Sequence, residues 1–80
     1  MKLKDLKTAL EIIQSEISGE IDVYTNYKKI IFETYDSKEQ GEALLDRLKV
    51  EFPDYTIEWY YYDIEEIGTI VIRKGIRRKV

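Results

Sequence analysis

The fold is decided by the stretch at residues 29–35, which reads Lys29-Ile30-Ile31-Phe32-Glu33-Thr34-Tyr35. Five of these seven residues are β-branched or aromatic, a composition that suits a pleated surface and predicts a β-strand. Alternate side chains of a strand point to opposite faces. The strand should therefore bury Ile30 and Phe32 on one side and present Ile31 and Glu33 on the other.

Three further strands are predicted around this one. Residues 21–24 alternate at period two and form the first strand, with Asn26-Tyr27 as the turn that follows. Residues 54–62 form the third strand. Residues 63–68 form a loop, and residues 69–73 form the fourth strand.

Two amphipathic helices complete the pattern. Asp36 and Ser37 each fit a helix N-cap, with Glu39 and Gln40 three residues later, and Pro53 ends the second helix. Each helix has one apolar stripe. The stripes are Leu3, Leu6, Leu10, Ile13 and Ile17 in the first helix, and Ala43, Leu44, Leu48 and Phe52, with Leu45 at the border, in the second.

The order αββαββ predicts the α+β class and a two-layer α/β sandwich, in which two helices cover one face of a four-stranded antiparallel sheet. Residues 1–73 form this single domain, and residues 74–80 form a basic C-terminal tail. The residues expected beneath the helices are Ile21, Val23, Ile30, Phe32, Ile57, Trp59, Ile70 and Ile72, with Tyr55 and Tyr61. The other side, called the open face below, should carry Asp22, Tyr24, Ile31, Glu33, Tyr35, Glu58, Tyr60, Tyr62, Val71 and Arg73.

The two halves of the chain share their apolar spacing. Positions in the first helix recur 35 residues later, those in the first strand 36 residues later and those in the second strand 40 residues later. An ancestral duplication explains the correspondence. Any two αββ units with similar spacing explain it equally well.

The residue inventory argues against an enzyme. The chain has no His and no Cys, so the commonest general base and the thiolate nucleophile and metal ligand are missing. Asp63, Glu65 and Glu66 share a loop, but their spacing does not match a calcium-binding loop. We therefore expect a non-catalytic protein without a cofactor or metal. We also expect a cytoplasmic protein, because no apolar run is long enough for a membrane span.

The open face is the first candidate for function. Tyrosine supplies a large, rigid contact area and a hydroxyl group, and neighbouring carboxylates favour a basic partner. The sequence therefore predicts a protein–protein interaction module, although tyrosines also stabilise open sheets without any partner. Stacking of unpaired bases on this face is disfavoured by its acidic charge. The residues proposed to bind the protein partner are Tyr24, Glu33, Tyr35, Glu58, Tyr60 and Tyr62.

Charge divides the chain and gives an alternative function. Residues 1–72 hold 8 Lys/Arg and 16 Asp/Glu, whereas the last eight residues hold five basic and no acidic residues. A nucleic-acid-binding regulator could contact phosphates through this segment, or the segment could be a solvated terminus. A structural homo-oligomer, built through edge strands or the tyrosine face, is a further alternative. The residues expected to bind nucleic acid are Arg73, Lys74, Arg77, Arg78 and Lys79.

The composition also bears on origin. Ile, Lys, Tyr, Asn, Phe and Met, which have AT-rich codons, number 32, whereas Gly, Ala, Arg and Pro number 11. This favours an AT-rich genome, such as that of a low-GC bacterium or its phage. The small size, the αββαββ order and the acidic body resemble those of phage and mobile-element proteins that block host enzymes. That resemblance of architecture implies an inhibitor or regulator that docks on a host protein.

Overall fold

A computed structural model describes residues 3–26, 29–35 and 38–74 of the 80-residue chain, with side chains described for 4–25, 29–35 and 38–73. It contains two helices and four strands in the predicted order. The elements are α1 (Leu3–Glu16), β1 (Ile21–Asn26), β2 (Lys29–Tyr35), α2 (Gly41–Glu51), β3 (Tyr55–Tyr62) and β4 (Ile67–Lys74).

The strands form one antiparallel sheet in the order β1-β2-β4-β3. This confirms the predicted α+β class. The second strand of each αββ unit lies inside the sheet, and the two inner strands pair with each other. The first strand of each unit, β1 or β3, lies at an edge.

Some boundaries differ from the sequence predictions. β1 continues to Asn26, and β4 begins two residues early at Ile67 and includes Lys74. α2 begins at Gly41, several residues after the predicted caps, and its N-cap residue Gln40 makes no side-chain capping bond. The predicted caps Asp36 and Ser37, and Tyr27 of the predicted turn, lie outside the described residues.

The core lies between the helices and the inner strands. Two predictions were wrong here and one buried residue was missed, because helix position relative to the sheet decides burial at the margins. Val23 points to the helix side but is 40% exposed, Ala43 is exposed, and the unpredicted Ala9 is fully buried. The buried apolar residues are Ala9, Ile13, Ile17, Ile30, Phe32, Leu44, Leu48, Phe52, Ile57, Ile70 and Ile72. Ile21, Tyr55 and Trp59 are partly buried beside them.

α2 approaches β3 closely through a glycine. A Cβ atom built on Gly41 would lie only 2.1 Å from the indole ring of Trp59. The Trp59 ring also stacks on Tyr61 with a centroid distance of 6.3 Å. The absence of a side chain at Gly41 therefore sets how closely the start of α2 lies against β3.

The two helices are joined at the surface by one arginine. Arg47 of α2 donates to Glu16 Oε2 at 2.6 Å and to Ser15 Oγ at 2.9 Å, both at the C-terminal end of α1. A positive charge at that end also interacts favourably with the α1 helix dipole. The arginine side chain is 47% exposed, so this ion pair contributes to helix placement more than to stability.

The sheet has an approximate two-fold axis between β2 and β4. Residues of β2 correspond to residues of β4 that lie 40 positions later in the chain. Ile31 and Val71 correspond in this way and are also cross-strand partners, so the axis passes between them. Helix burial also repeats at an offset of 35, since Ile13 and Leu48 are both fully buried. The edge strands, however, correspond at an offset of 34 rather than 36. The register therefore equates Val23 with Ile57 instead of Trp59.

We expect Gly41→Ala to destabilise the fold, although alanine normally favours a helix. The added methyl group has to displace the Trp59 ring, and such overpacking typically costs about 1–3 kcal/mol. Urea denaturation should therefore show a lower midpoint. Trp59→Phe, which leaves a smaller ring, should reduce the penalty in a double-mutant cycle. Additive effects of the two substitutions would contradict this account.

Candidate functional site

The open face brings all six proposed partner-binding residues together. Sheet register places their side chains opposite the helices, on three neighbouring cross-strand rows. The face also includes Lys29, Thr56, Ile67 and Thr69, which the sequence analysis did not assign to it. Partly exposed Ile31 and Val71 are cross-strand partners and form an apolar centre, with Tyr24 beside it on β1, whereas Ile67 lies two rows away opposite Tyr35. Tyr24, Tyr60 and Tyr62 are 45–50% exposed.

Two acidic residues lie directly opposite each other on this face. Asp22 of β1 is the cross-strand partner of Glu33 of β2. Like charges at such positions destabilise a sheet. Neither carboxylate forms an ion pair with a residue that the structure describes. The arrangement therefore leaves a local excess of negative charge that a basic group from outside could relieve.

Tyrosine hydroxyl groups take the place of cations beside these carboxylates. Tyr35 Oη donates to Asp22 Oδ2 at 3.3 Å, diagonally across β1 and β2. Glu33 lies close enough to Tyr24, and Glu58 close enough to Tyr60, for each carboxylate to raise the pKa of the neighbouring phenol. We call these three contacts the tyrosine–carboxylate pairs. The hydrogen bond from Tyr35 orients Asp22 without cancelling its charge.

The carboxylates change the acidity of the tyrosines. The negative charge of Glu33, followed by that of Asp22, raises the pKa of Tyr24 above its ordinary value. The pKa of Tyr60 is raised chiefly by its hydrogen bond to Glu58. For Tyr35, desolvation contributes most to the raised pKa, and Asp22 comes second. All three groups therefore stay neutral donors beyond the ordinary tyrosine range.

Basic residues occupy one end of the open face. Arg73 is the cross-strand partner of Lys29, and its guanidinium group lies 2.9 Å from Glu58 Oε2. Arg73 was predicted to act with the C-terminal tail, but the structure places it in this ion pair on the sheet. The alternative nucleic-acid site therefore has one fewer unpaired cation. Lys74 ends β4, and Arg77, Arg78 and Lys79 lie outside the described residues.

An open depression adjoins the acidic part of the face. It has a volume of about 230 Å³ and is lined by Glu33, Tyr62, Glu65, Ile67 and Thr69. Two carboxylates and a phenol ring around an apolar floor suit the aliphatic stem and charged head of a lysine or arginine. The sequence analysis did not predict this depression. Glu65 belongs to the loop after β3, and it comes near Glu33 only because β2 pairs with β4 in the folded protein.

A second depression lies between the outer surfaces of α1 and α2. Its volume is about 520 Å³, and its lining includes Ile12, Arg47 and Val50, which is 82% exposed. The sequence analysis missed this depression too, because Ile12 falls beside the main apolar stripe of α1. The Arg47 side chain lines this depression and donates hydrogen bonds to Glu16 and Ser15. Its positive charge is therefore already paired with the carboxylate of Glu16.

The acidic loop does not form a metal centre in the part of the chain that the structure describes. Among residues 3–26, 29–35 and 38–74, no three carboxylates are grouped so that they could hold a metal ion. Asp63 instead lies 3.3 Å from Lys38, whose ammonium group also sits 5.6 Å from the centre of the Tyr61 ring. Both side chains are largely exposed, so this ion pair contributes little to stability.

Comparison with protein-family models, with curated proteins and with solved structures finds no match to this chain. Function therefore has to be argued from the geometry of the chain itself. Within the described residues, neither helix is long and apolar enough to cross a membrane.

We expect Tyr24 and Tyr60 to titrate above the ordinary tyrosine pKa of 10.0. A raised folded-state pKa means that the contribution to stability is present below pH 10 and is lost as the pH rises through the folded-state value. Glu33→Gln should lower the pKa of Tyr24 and leave that of Tyr60 nearly unchanged, whereas Glu58→Gln should do the reverse. NMR titration of the tyrosine ring carbons measures both. Glu51→Gln on α2 is the control and should move neither.

Proposed function

We propose that the protein is a non-catalytic interaction module that binds a basic or amphipathic surface of another protein through its open face. The observation that carries this proposal is the set of tyrosine–carboxylate pairs around the apolar centre. An interface of this kind combines exposed aromatic area with fixed acceptors. From composition and architecture, we propose that a phage or mobile element encodes the protein. Its partner would then be a cytoplasmic protein of the host cell.

The tyrosines supply most of the contact energy in this proposal. Tyrosine is enriched among the few interface residues that dominate binding. The rings are held on strands, and the Tyr35 hydroxyl group is oriented by Asp22. Little side-chain freedom is then lost on binding, which lowers the cost of association.

The carboxylates select the charge of the partner. Asp22 and Glu33 face each other without an ion pair among the described residues, and the adjoining depression adds Glu65. A lysine or arginine side chain entering the depression would relieve this repulsion. A phosphate backbone would increase it, which disfavours nucleic acid on this face. Nucleic-acid binding through the tail stays a separate prediction.

Removal of two exposed tyrosines should abolish binding. Tyr60→Ser combined with Tyr62→Ser removes adjacent aromatic contacts. We expect affinity to fall about 1,000-fold, since each lost aromatic anchor costs about 2 kcal/mol and about 1.4 kcal/mol corresponds to tenfold in affinity. Partners would first be captured from a lysate of the source organism with nuclease added, and then titrated as purified protein by calorimetry.

The matched control removes two exposed apolar side chains elsewhere. Val50 and Ala43 are exposed on α2, and Val50→Ser with Ala43→Ser should leave affinity unchanged. Circular dichroism would verify that both double variants fold. Full binding by the folded tyrosine variant would refute the assignment of the open face. Two other results would favour binding through the C-terminal tail. The captured proteins would disappear when nuclease is added, and binding would be lost on truncation after residue 74.

Asp22→Asn should change stability and binding in opposite directions. The amide removes the repulsion with Glu33 and keeps an acceptor for Tyr35, so stability should rise by roughly 0.2–1 kcal/mol. Affinity for a basic partner should fall at low salt and approach that of the wild type at high salt. Thermal unfolding and a salt series of binding titrations measure the two effects. A stability decrease, or unchanged affinity at every salt concentration, would contradict the role given to this pair.

A further inference from the structure

The helix layer leaves β1 uncovered at the edge of the sheet. Val23 lies on the helix side opposite buried Phe32, yet it is 40% exposed. The approximate two-fold axis equates Val23 with Ile57, which is only 5% exposed. α2 packs closely on β3, whereas α1 makes no comparable contact with β1. The same position is thus buried in one αββ unit and exposed in the other.

The main chain of β1 also offers unpaired groups along this edge. The Tyr35 N–H donates to the Glu20 C=O at 3.1 Å, which identifies these residues as a hydrogen-bonded pair. Hydrogen-bonded pairs alternate along an antiparallel ladder. Residues 22 and 24 therefore also bond to β2. The N–H and C=O groups of Ile21, Val23 and Thr25 point away from β2, toward an edge with no strand neighbour among the described residues.

We propose that β1 pairs with β1 of a second copy of the chain. The strands would run antiparallel about a two-fold axis at Val23, and two four-stranded sheets would become one continuous sheet. Both helix layers would lie on the same side. The exposed Val23 side chains of the two copies would then cover each other between the two α1 helices.

The side chains of β1 complement themselves in this register. Val23 faces Val23 of the copy, and Ile21 faces Thr25 of the copy, so all the outward-pointing main-chain groups are used. On the open face, Asp22 faces Tyr24 of the copy, whose hydroxyl can donate to a carboxylate. A shift that paired Asp22 with Asp22 would place two like charges together. The charge of Asp22 therefore disfavours the register centred on Asp22, and the register centred on Val23 is the one that uses the outward-pointing groups of Ile21, Val23 and Thr25 together.

The opposite edge is less suited to the same pairing. The Tyr55 N–H, at the start of β3, already donates to the Phe52 C=O at 3.2 Å. The helix-side residues of β3 are packed against α2, and the Trp59 ring lies against Gly41. β3 therefore lacks the exposed apolar side chain that makes β1 a contact surface.

This dimer goes beyond the proposed function, because it does not depend on any partner. It would join the two open faces side by side on one surface. A partner with repeated basic segments could then bind both copies, and linked binding raises overall affinity without new contacts.

Removal of one main-chain donor tests the dimer. Val23→Pro deletes an N–H that points away from β2, and proline is tolerated at a free sheet edge. The matched control is Val23→Thr, which keeps the N–H and the β-branched shape. Light scattering and sedimentation across a concentration series should give twice the 9.6 kDa chain mass for the wild type and for Val23→Thr. Val23→Pro should raise the dimer dissociation constant at least tenfold, while circular dichroism stays native.

The register is tested by charge at position 24. Tyr24→Lys places a cation opposite Asp22 of the copy and should tighten the dimer, whereas Tyr24→Glu places like charges together and should weaken it. These variants also decide the question should Val23→Pro fail to fold. A wild-type mass that stays at 9.6 kDa up to millimolar concentration overturns the proposal. Equal association of folded Tyr24→Lys and Tyr24→Glu also overturns it.

Discussion

The pairing of β2 with β4 is the contact on which the rest of the structure depends. It joins two αββ units that could not each bury an apolar helix stripe alone. On one side it aligns Ile30 and Phe32 with Ile72 and Ile70, which form the floor of the core. On the other side the same pairing places Ile31 beside Val71 at the centre of the open face.

The two units are similar in topology but not in packing. α2 packs on β3, where Gly41 lies against the Trp59 ring, and Ile57 of β3 is buried. α1 does not cover β1 in the same way, and Val23 stays exposed. Among the described residues, this asymmetry leaves one sheet edge, at β3, packed against a helix and the other edge, at β1, with Val23 exposed. The approximate symmetry agrees with an ancestral duplication, but similar αββ spacing would produce it as well.

The open face combines repulsion between two carboxylates with tyrosine hydroxyl groups that partly offset it. Facing carboxylates at Asp22 and Glu33 cost stability in the isolated chain, and the tyrosine hydroxyl groups only partly offset this cost. Small domains have little stability to spare. Retaining such a repulsion at an exposed site therefore agrees with a role in recognition, where a basic group would remove it.

The sequence by itself determined the class of fold, the element order and the sidedness of each strand, because period-two and helical apolar spacing report directly on which faces are buried. The open-face positions of Tyr24, Glu33, Tyr35, Glu58, Tyr60 and Tyr62 followed from that alternation. Only the tertiary structure decided the strand order, the ion pair of Arg73 with Glu58, and the depression between Glu33 and Glu65. It also decided the exposure of Val23. These features depend on which strands are neighbours and where each helix rests, and such long-range contacts leave no periodic signal in the chain.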